Sequence, residues 1–221
     1  ALWARLTARA AKRLSGGALA YPDTAGLADL REAIATYLAV SRGVPCRAEQ
    51  VIVTSSYQAG LSLIARVLLQ PGDWVWFEEP GYFLARSALK AVAARLLPVP
   101  VDEQGMNVEF ARAHLPPARL AVVTPAHHSA FGVALALARR QKLLAWAAET
   151  DAWIVEDDYD GEFHYVGRKL PALKSLDLAD RVIYAGSFSK TLSPSLCLGY
   201  LVVPEQLVEQ TVETKLALTK G

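Results

Sequence analysis

Apolar positions recur along this chain with two periods, and stretches of the two alternate. Leu2, Leu6, Ala10 and Leu14 stand at helical spacing with arginine and lysine between them, predicting an amphipathic helix over residues 2–14 closed by Gly16-Gly17. Leu30, Ile34, Tyr37 and Leu38 repeat that pattern and predict a second helix over 27–40. Beyond Gly43, short apolar runs at 50–54, 74–77, 95–101, 120–124 and 199–203, and two more starting at Ala152 and Val182, read as strands. Helical stretches over 58–69, 83–94, 133–150 and 206–218 punctuate them, while Pro98 and Pro100 push their strand toward a sheet edge. The segment Glu78-Glu79-Pro80-Gly81-Tyr82 reads as a loop.

Nearly continuous apolar strands alternating with helices predict an α/β domain with three αβα layers and a mostly parallel sheet. Ligands bind such sheets outside the carboxyl ends of the strands. Residues 54–58, 79–82, 124–132, 156–160 and 187–190 are therefore expected to converge on one crevice.

Composition narrows the partners. The 221 residues are 52% hydrophobic, and 23 basic against 22 acidic side chains leave a net charge of +1, so nothing marks a face for nucleic acid or an anionic membrane. No apolar run approaches the roughly 20 residues of a membrane helix, and no signal-peptide pattern opens the chain. Cys46 and Cys197 lack metal-ligand spacing, which makes a reduced, cytoplasmic protein the expectation and leaves a disulfide between them open.

The candidate chemistry lies at two strand ends. Lys190 sits in Gly186-Ser187-Phe188-Ser189-Lys190-Thr191 after one apolar run, and Ala152-Trp153-Ile154-Val155 runs into Glu156-Asp157-Asp158-Tyr159-Asp160. Most lysines are surface groups. An amine among hydroxyls facing an acid, however, suits pyridoxal phosphate, which needs a lysine for its aldehyde, a carboxylate for its ring nitrogen and small donors for its phosphate. The acidic run imitates the start of a calcium loop, but the position that requires Glu is Gly167. Ser189 and Tyr184 stand where a phosphate loop needs glycine, and no Gly-x-Gly-x-x-Gly occurs. His127 and His128 are adjacent and would face opposite ways on a strand, His114 and His164 have no visible partner, and the five tryptophans are expected in the core.

Taken together, Ile154-Val155-Glu156-Asp157-Asp158-Tyr159-Asp160-Gly161-Glu162-Phe163, Leu170-Pro171-Ala172-Leu173, Gly186-Ser187-Phe188-Ser189-Lys190-Thr191-Leu192 and Glu79-Pro80-Gly81-Tyr82 carry a resemblance. The chain resembles the large domain of fold-type I pyridoxal-phosphate enzymes of the aspartate aminotransferase family. More narrowly, it is similar to the aminotransferase-like domain of MocR-type regulators in the GntR family. The resemblance implies that Lys190 bonds the cofactor aldehyde, Asp157 pairs with the pyridine nitrogen and Tyr159 with the ring hydroxyl, and Tyr82 stacks on the ring. Ser187, Ser55 and Ser56 would hold the phosphate, and Tyr21 would reach the phosphate of a partner subunit, which implies a homodimer. It also implies that residues 1–221 are one large domain of a longer protein whose winged-helix and small domains lie elsewhere, so that DNA would be bound outside this chain.

Three positions depart from the family pattern. Cys197 replaces a phosphate-clamping arginine, His127-His128-Ser129-Ala130-Phe131-Gly132 lacks the usual proline, and Ser56 followed by bulky Tyr57 opens the phosphate-binding helix. Losing a bidentate charged contact of about 1.5–3 kcal/mol weakens binding roughly ten- to hundredfold. The expected function is thus a cofactor-binding regulator domain sensing a small amino-acid-like effector. A working aminotransferase and a cofactor-free dimerisation domain stand beside it.

Overall fold

The computed structural model describes residues 2–12, 23–163 and 171–219. Tyr21, expected at the phosphate, together with His164 and Gly167, lies outside the described residues. An eight-stranded sheet forms the middle layer, in the order β1 (Val51–Thr54), β8 (Gly199–Val202), β7 (Val182–Ser187), β6 (Trp153–Asp158), β5 (Leu120–Val123), β2 (Trp74–Glu79), β3 (Arg95–Asp102) and β4 (Gly105–Met106). Strands β2, β3, β5, β6 and β7 pair in parallel, while β8 runs antiparallel to both β1 and β7. The proline-bearing β3 pairs on its outer side only with the two residues of β4, because Pro98 and Pro100 have no N–H for a longer ladder.

Strand alternation sends neighbouring residues to opposite faces and so builds two outer layers. Val75, Phe77, Leu120, Val122, Val155, Ile183 and Leu201 pack against α3 (Tyr57–Leu68) and α4 (Phe83–Lys90). The α7 helix (Val208–Thr219) adds Val208 and Val212 to that cluster. On the other face Trp76, Val99, Ala121, Val123, Ile154 and Val182 pack against α5 (Val108–His114) and α6 (Leu137–Thr150), with Trp76 stacked on Trp146 at 4.0 Å. Val51, Tyr184, Tyr200 and Val202 bury Ile34 and Leu38 of α2 (Ala28–Ser41).

Several elements differ from the sequence expectations. Strand β2 runs on through Glu78 and Glu79, because parallel pairing to β3 extends to Glu79. Residues 133–136 are extended, held by Leu135 N–H to Pro125 O and Ala136 N–H to Gln104 O. The helix from Phe83 stops at Lys90 in a turn with Ala93 at φ 59°. Helix α1 (Leu2–Ala11) buries none of its residues, so Trp3 is 54% exposed and is not a core residue. Both cysteines are free. Among the described residues no helix is long and apolar enough to cross a membrane.

The end of β6 is anchored by a buried ion pair. Arg42, just past α2, donates from Nε to Asp158 Oδ2 at 2.6 Å and from Nη1 to the Gly161 carbonyl at 2.6 Å. Tyr184 Oη donates to the same Asp158 oxygen at 2.6 Å. Residue 161 must be glycine there, since a Cβ would lie 1.9 Å from Asp158 Oδ1. Arg42→Met strands the Asp158 carboxylate in the core, and a loss of about 3–5 kcal/mol in chemical denaturation is expected. An unchanged urea midpoint would contradict that role.

Candidate cofactor site

The carboxyl ends of β1, β2, β5, β6 and β7 open into a cleft of about 380 Å³ lined by Ser56, Tyr57, Gln58, Tyr82, Ser129, Asp157, Tyr159, Ser187, Ser189 and Lys190. Six sequence-predicted residues therefore meet in one place: Lys190, Asp157, Tyr159, Tyr82, Ser187 and Ser56. Ser55 is exposed and is not among the lining residues. Tyr57, Gln58, Ser129 and Ser189 also line it; they fall within the segments expected at the crevice, but the sequence assigns none of them a contact to the cofactor.

Each lining group is placed by local structure. Ser56 caps α3, its Oγ accepting from Ala59 N–H at 3.1 Å, which leaves the Tyr57 and Gln58 N–H groups of the first turn without helical acceptors. Gly199 lets β8 approach this helix start, as a Cβ would come within 2.9 Å of the Ser56 carbonyl carbon. Ser187, at the end of β7, accepts from Ser189 N–H at 3.1 Å and donates to Ser189 Oγ at 2.9 Å, forming the turn that presents Lys190. Gln58 Nε2 donates to Tyr82 Oη at 3.0 Å and fixes the aromatic wall.

Three consecutive acids close β6, and all are buried. Glu156 accepts from the N–H groups of Leu173 and Lys174 at 2.7 and 2.8 Å. Asp158 has Arg42 and Tyr184. Asp157, on the opposite face, has no cationic partner among the described residues. Burial foremost, then the charges of Asp158, Glu78 and Asp160, push its carboxyl well above the usual range, against a lowering contribution from the Tyr57 hydroxyl. Burial also pushes the Tyr159 phenol up to about 12.

The loop after β5 adds contacts that adjacent histidines in a sequence do not disclose. His127 Nδ1 pairs with Asp160 Oδ1 at 3.0 Å, across 33 positions. His128 Nδ1 accepts from the N–H groups of Ala130 and Phe131 at 3.3 and 3.2 Å, and its Nε2 donates to Pro80 O at 2.9 Å. It thereby joins this loop to the one that carries Tyr82, and burial holds its pKa down, consistent with a neutral ring. Arg140 completes the frame, donating to the carbonyls of Leu135, Pro125 and Pro171.

A flat heterocycle with a cationic nitrogen and a phosphate fits this donor set. The buried Asp157 carboxyl wants a cation, Tyr82 offers a wall, and Ser56, Ser187, Ser189 and the α3 amides surround a place for oxyanions. Among the described residues Lys190 is the sole basic one in the lining, and Cys197, in a left-handed turn with φ 47°, is not part of it.

A three-layer sandwich with its site at the strand ends is the architecture of the pyridoxal-phosphate-dependent transferases. The match to the family model of class I and II aminotransferases covers residues 4–218, and the chain belongs to that family. It is 44% identical over 207 residues to the probable rhizopine catabolism regulatory protein MocR of Rhizobium meliloti, covering 94% of this chain and 42% of that protein. It is 40% identical over 179 residues to the pyridoxine biosynthesis transcriptional regulator PdxR of Corynebacterium glutamicum, covering 81% and 38%. The chain thus spans less than half the length of these two curated relatives. Kynurenine aminotransferase from Pyrococcus horikoshii, solved with PMP, superposes with a TM-score of 0.90 at 31% identity, over 97% of this chain and 55% of its own.

Glu78 supplies a test of the site's electrostatics. Its carboxylate accepts from Thr124 N–H at 3.2 Å and from Thr124 Oγ1 at 2.7 Å, and burial raises its pKa to about 7. Folding therefore takes up a proton here, so this contribution to stability is present below the unfolded value of 4.5 and is lost as pH rises to about 7. The loss amounts to about 3 kcal/mol. Glu78→Gln should remove that part of the slope in urea titrations across this range, and parallel wild-type and variant curves would refute it.

Proposed function

We propose that this chain is the pyridoxal-phosphate-binding domain of a MocR-type transcription regulator, holding the cofactor through Lys190 and sensing a small amino-acid-like effector. The observation that carries the reading is that Lys190 and Asp157 line one cleft. The bound cofactor supplies an aldehyde carbon and an electron-withdrawing ring. Lys190 offers its amine to that aldehyde, Asp157 sets its carboxylate against the ring nitrogen, and Tyr159 points its hydroxyl at the ring hydroxyl. Tyr82 stacks, Ser56, Ser187 and Ser189 hold the phosphate with the α3 amides, and Ser55 adds at most an outer contact. Tyr21 reaches a partner subunit in this reading, which makes the protein a homodimer. DNA binding belongs to a domain outside this chain, and a reduced, cytoplasmic setting accords with the two free cysteines.

Two relatives named as regulators favour this role over transamination, as does Cys197 in place of an arginine clamp. The superposition on an aminotransferase favours the second reading, an active transaminase in which Lys190 would also serve as the acid–base group.

Two outcomes are expected. Added pyridoxal phosphate produces an absorbance band near the visible edge that Lys190→Ala abolishes, and absence of any band at saturating cofactor refutes the binding role. Cys197→Arg should tighten cofactor binding roughly ten- to hundredfold by restoring a charged phosphate contact. An unaltered dissociation constant would mean that phosphate does not lie near position 197. Spectral changes with an amino acid in the full-length protein, followed by release of a 2-oxo acid, would favour the transaminase.

A further inference from the structure

Tyr57 is the first residue of α3 and lines the cleft, yet its side chain is only 8% exposed. Its hydroxyl is fully buried and makes no hydrogen bond of ordinary geometry. An unpaired buried hydroxyl costs about 1–3 kcal/mol, and phenylalanine would fill the same space without that cost. The acceptor within its reach is the Asp157 carboxyl, whose electrostatics the phenol already influences. With no accessible surface of its own, the hydroxyl reaches a ligand only through that carboxyl.

The groups around Asp157 make a donor scarce. Glu78 faces it from β2, Asp158 is its neighbour on β6, and Asp160 and Tyr159 follow in the loop. Glu78 and Asp158 already accept from Thr124 and from Arg42 and Tyr184. All three acids disfavour a second negative charge at Asp157, and among these neighbours a phenol on α3 is placed to favour one.

We propose that Tyr57 is a positioning residue for the ring-nitrogen subsite, its hydroxyl donating to the Asp157 carboxylate and keeping it ionised and aimed at a cationic heterocycle. This deepens the cofactor-binding role proposed above and rests on it. A small shift of the phenol completes the hydrogen bond whether or not a ligand is present, and no bond to the ligand itself is required. The subsite accordingly selects a ring that carries a positive nitrogen over one that does not.

Tyr57→Phe keeps the ring and deletes only the donor. Pyridoxal phosphate titrations from mildly acidic to mildly alkaline pH should show wild-type affinity weakening as Asp157 takes up its proton. In Tyr57→Phe that weakening moves to higher pH, and affinity at neutrality drops roughly tenfold, the equivalent of one lost hydrogen bond. Asp157→Asn should weaken binding by itself, and adding Tyr57→Phe to it should cause no further change. Superimposable profiles for wild type and Tyr57→Phe, or additive losses in the double variant, overturn the proposal. A second measurement needs no cofactor. Asp157 protonates more readily folded than unfolded, so stability is lost as pH rises through its folded value, and Tyr57→Phe should extend that loss to higher pH. If wild type binds no cofactor, the domain's assigned role fails, while coinciding pH–stability curves would separately defeat the role of Tyr57.

Discussion

Burying three carboxyl groups in succession at the end of one strand is the constraint on which this structure turns. Each ionised carboxyl taken from water costs several kcal/mol unless it finds donors or a cation. Glu156 and Asp158 share one face of β6, and the protein supplies partners to both, two backbone amides for one and Arg42 with Tyr184 at Oδ2 of the other. Asp157 faces the other way, into the cleft, and receives only an imperfect approach from Tyr57. Two of the acids hold the fold together. The third is left for something outside the chain.

The rest of the cleft follows from holding that acid in place. The Arg42 anchor stops the backbone after β6 from drifting, so Tyr159 and Asp160 stand at the mouth, and Asp160 meets His127 from the neighbouring loop. His128 fastens the same loop to Pro80, two residues before Tyr82. Parallel strands bring these loops to one edge of the sheet, and Gly199 admits the start of α3 beside them. The groups proposed to hold the phosphate are thus carried by elements whose mutual distances are set in the core.

Much of this was legible in the sequence where a residue's role depends on its own strand end. Lys190, Asp157, Tyr159, Tyr82, Ser187 and Ser56 sit where apolar runs give way to polar ones, and the topology of a parallel sheet gathers such points. The parts that escaped depend on contacts between distant segments. Glu78 looked like a loop acid because proline and glycine follow closely, whereas pairing with β3 carries the strand past it. The His127–Asp160 pair joins positions that share no local pattern. Tyr57 stood out as too bulky for its place, but its partner lies on β6 and becomes visible only when α3 packs there. Trp3 misled for the opposite reason, since an amphipathic stripe predicts a covered face without saying what covers it.

The two ends of the cleft are built unequally. At the ring-nitrogen end an acid is deeply buried and has a phenol packed against it. At the phosphate end hydroxyls and helix amides remain, and Cys197, where the family resemblance leads one to expect a guanidinium, is exposed and is not among the lining residues. Neutral donors hold a phosphate dianion less firmly than a bidentate cation does. In the proposed site a cofactor would depend on Lys190 and on the charge state of Asp157 for its retention, so its occupancy would follow proton concentration and competing amines more closely than in an arginine-clamped enzyme. Exchange of this kind suits a domain that reports on small molecules better than one that must keep its cofactor through many turnovers.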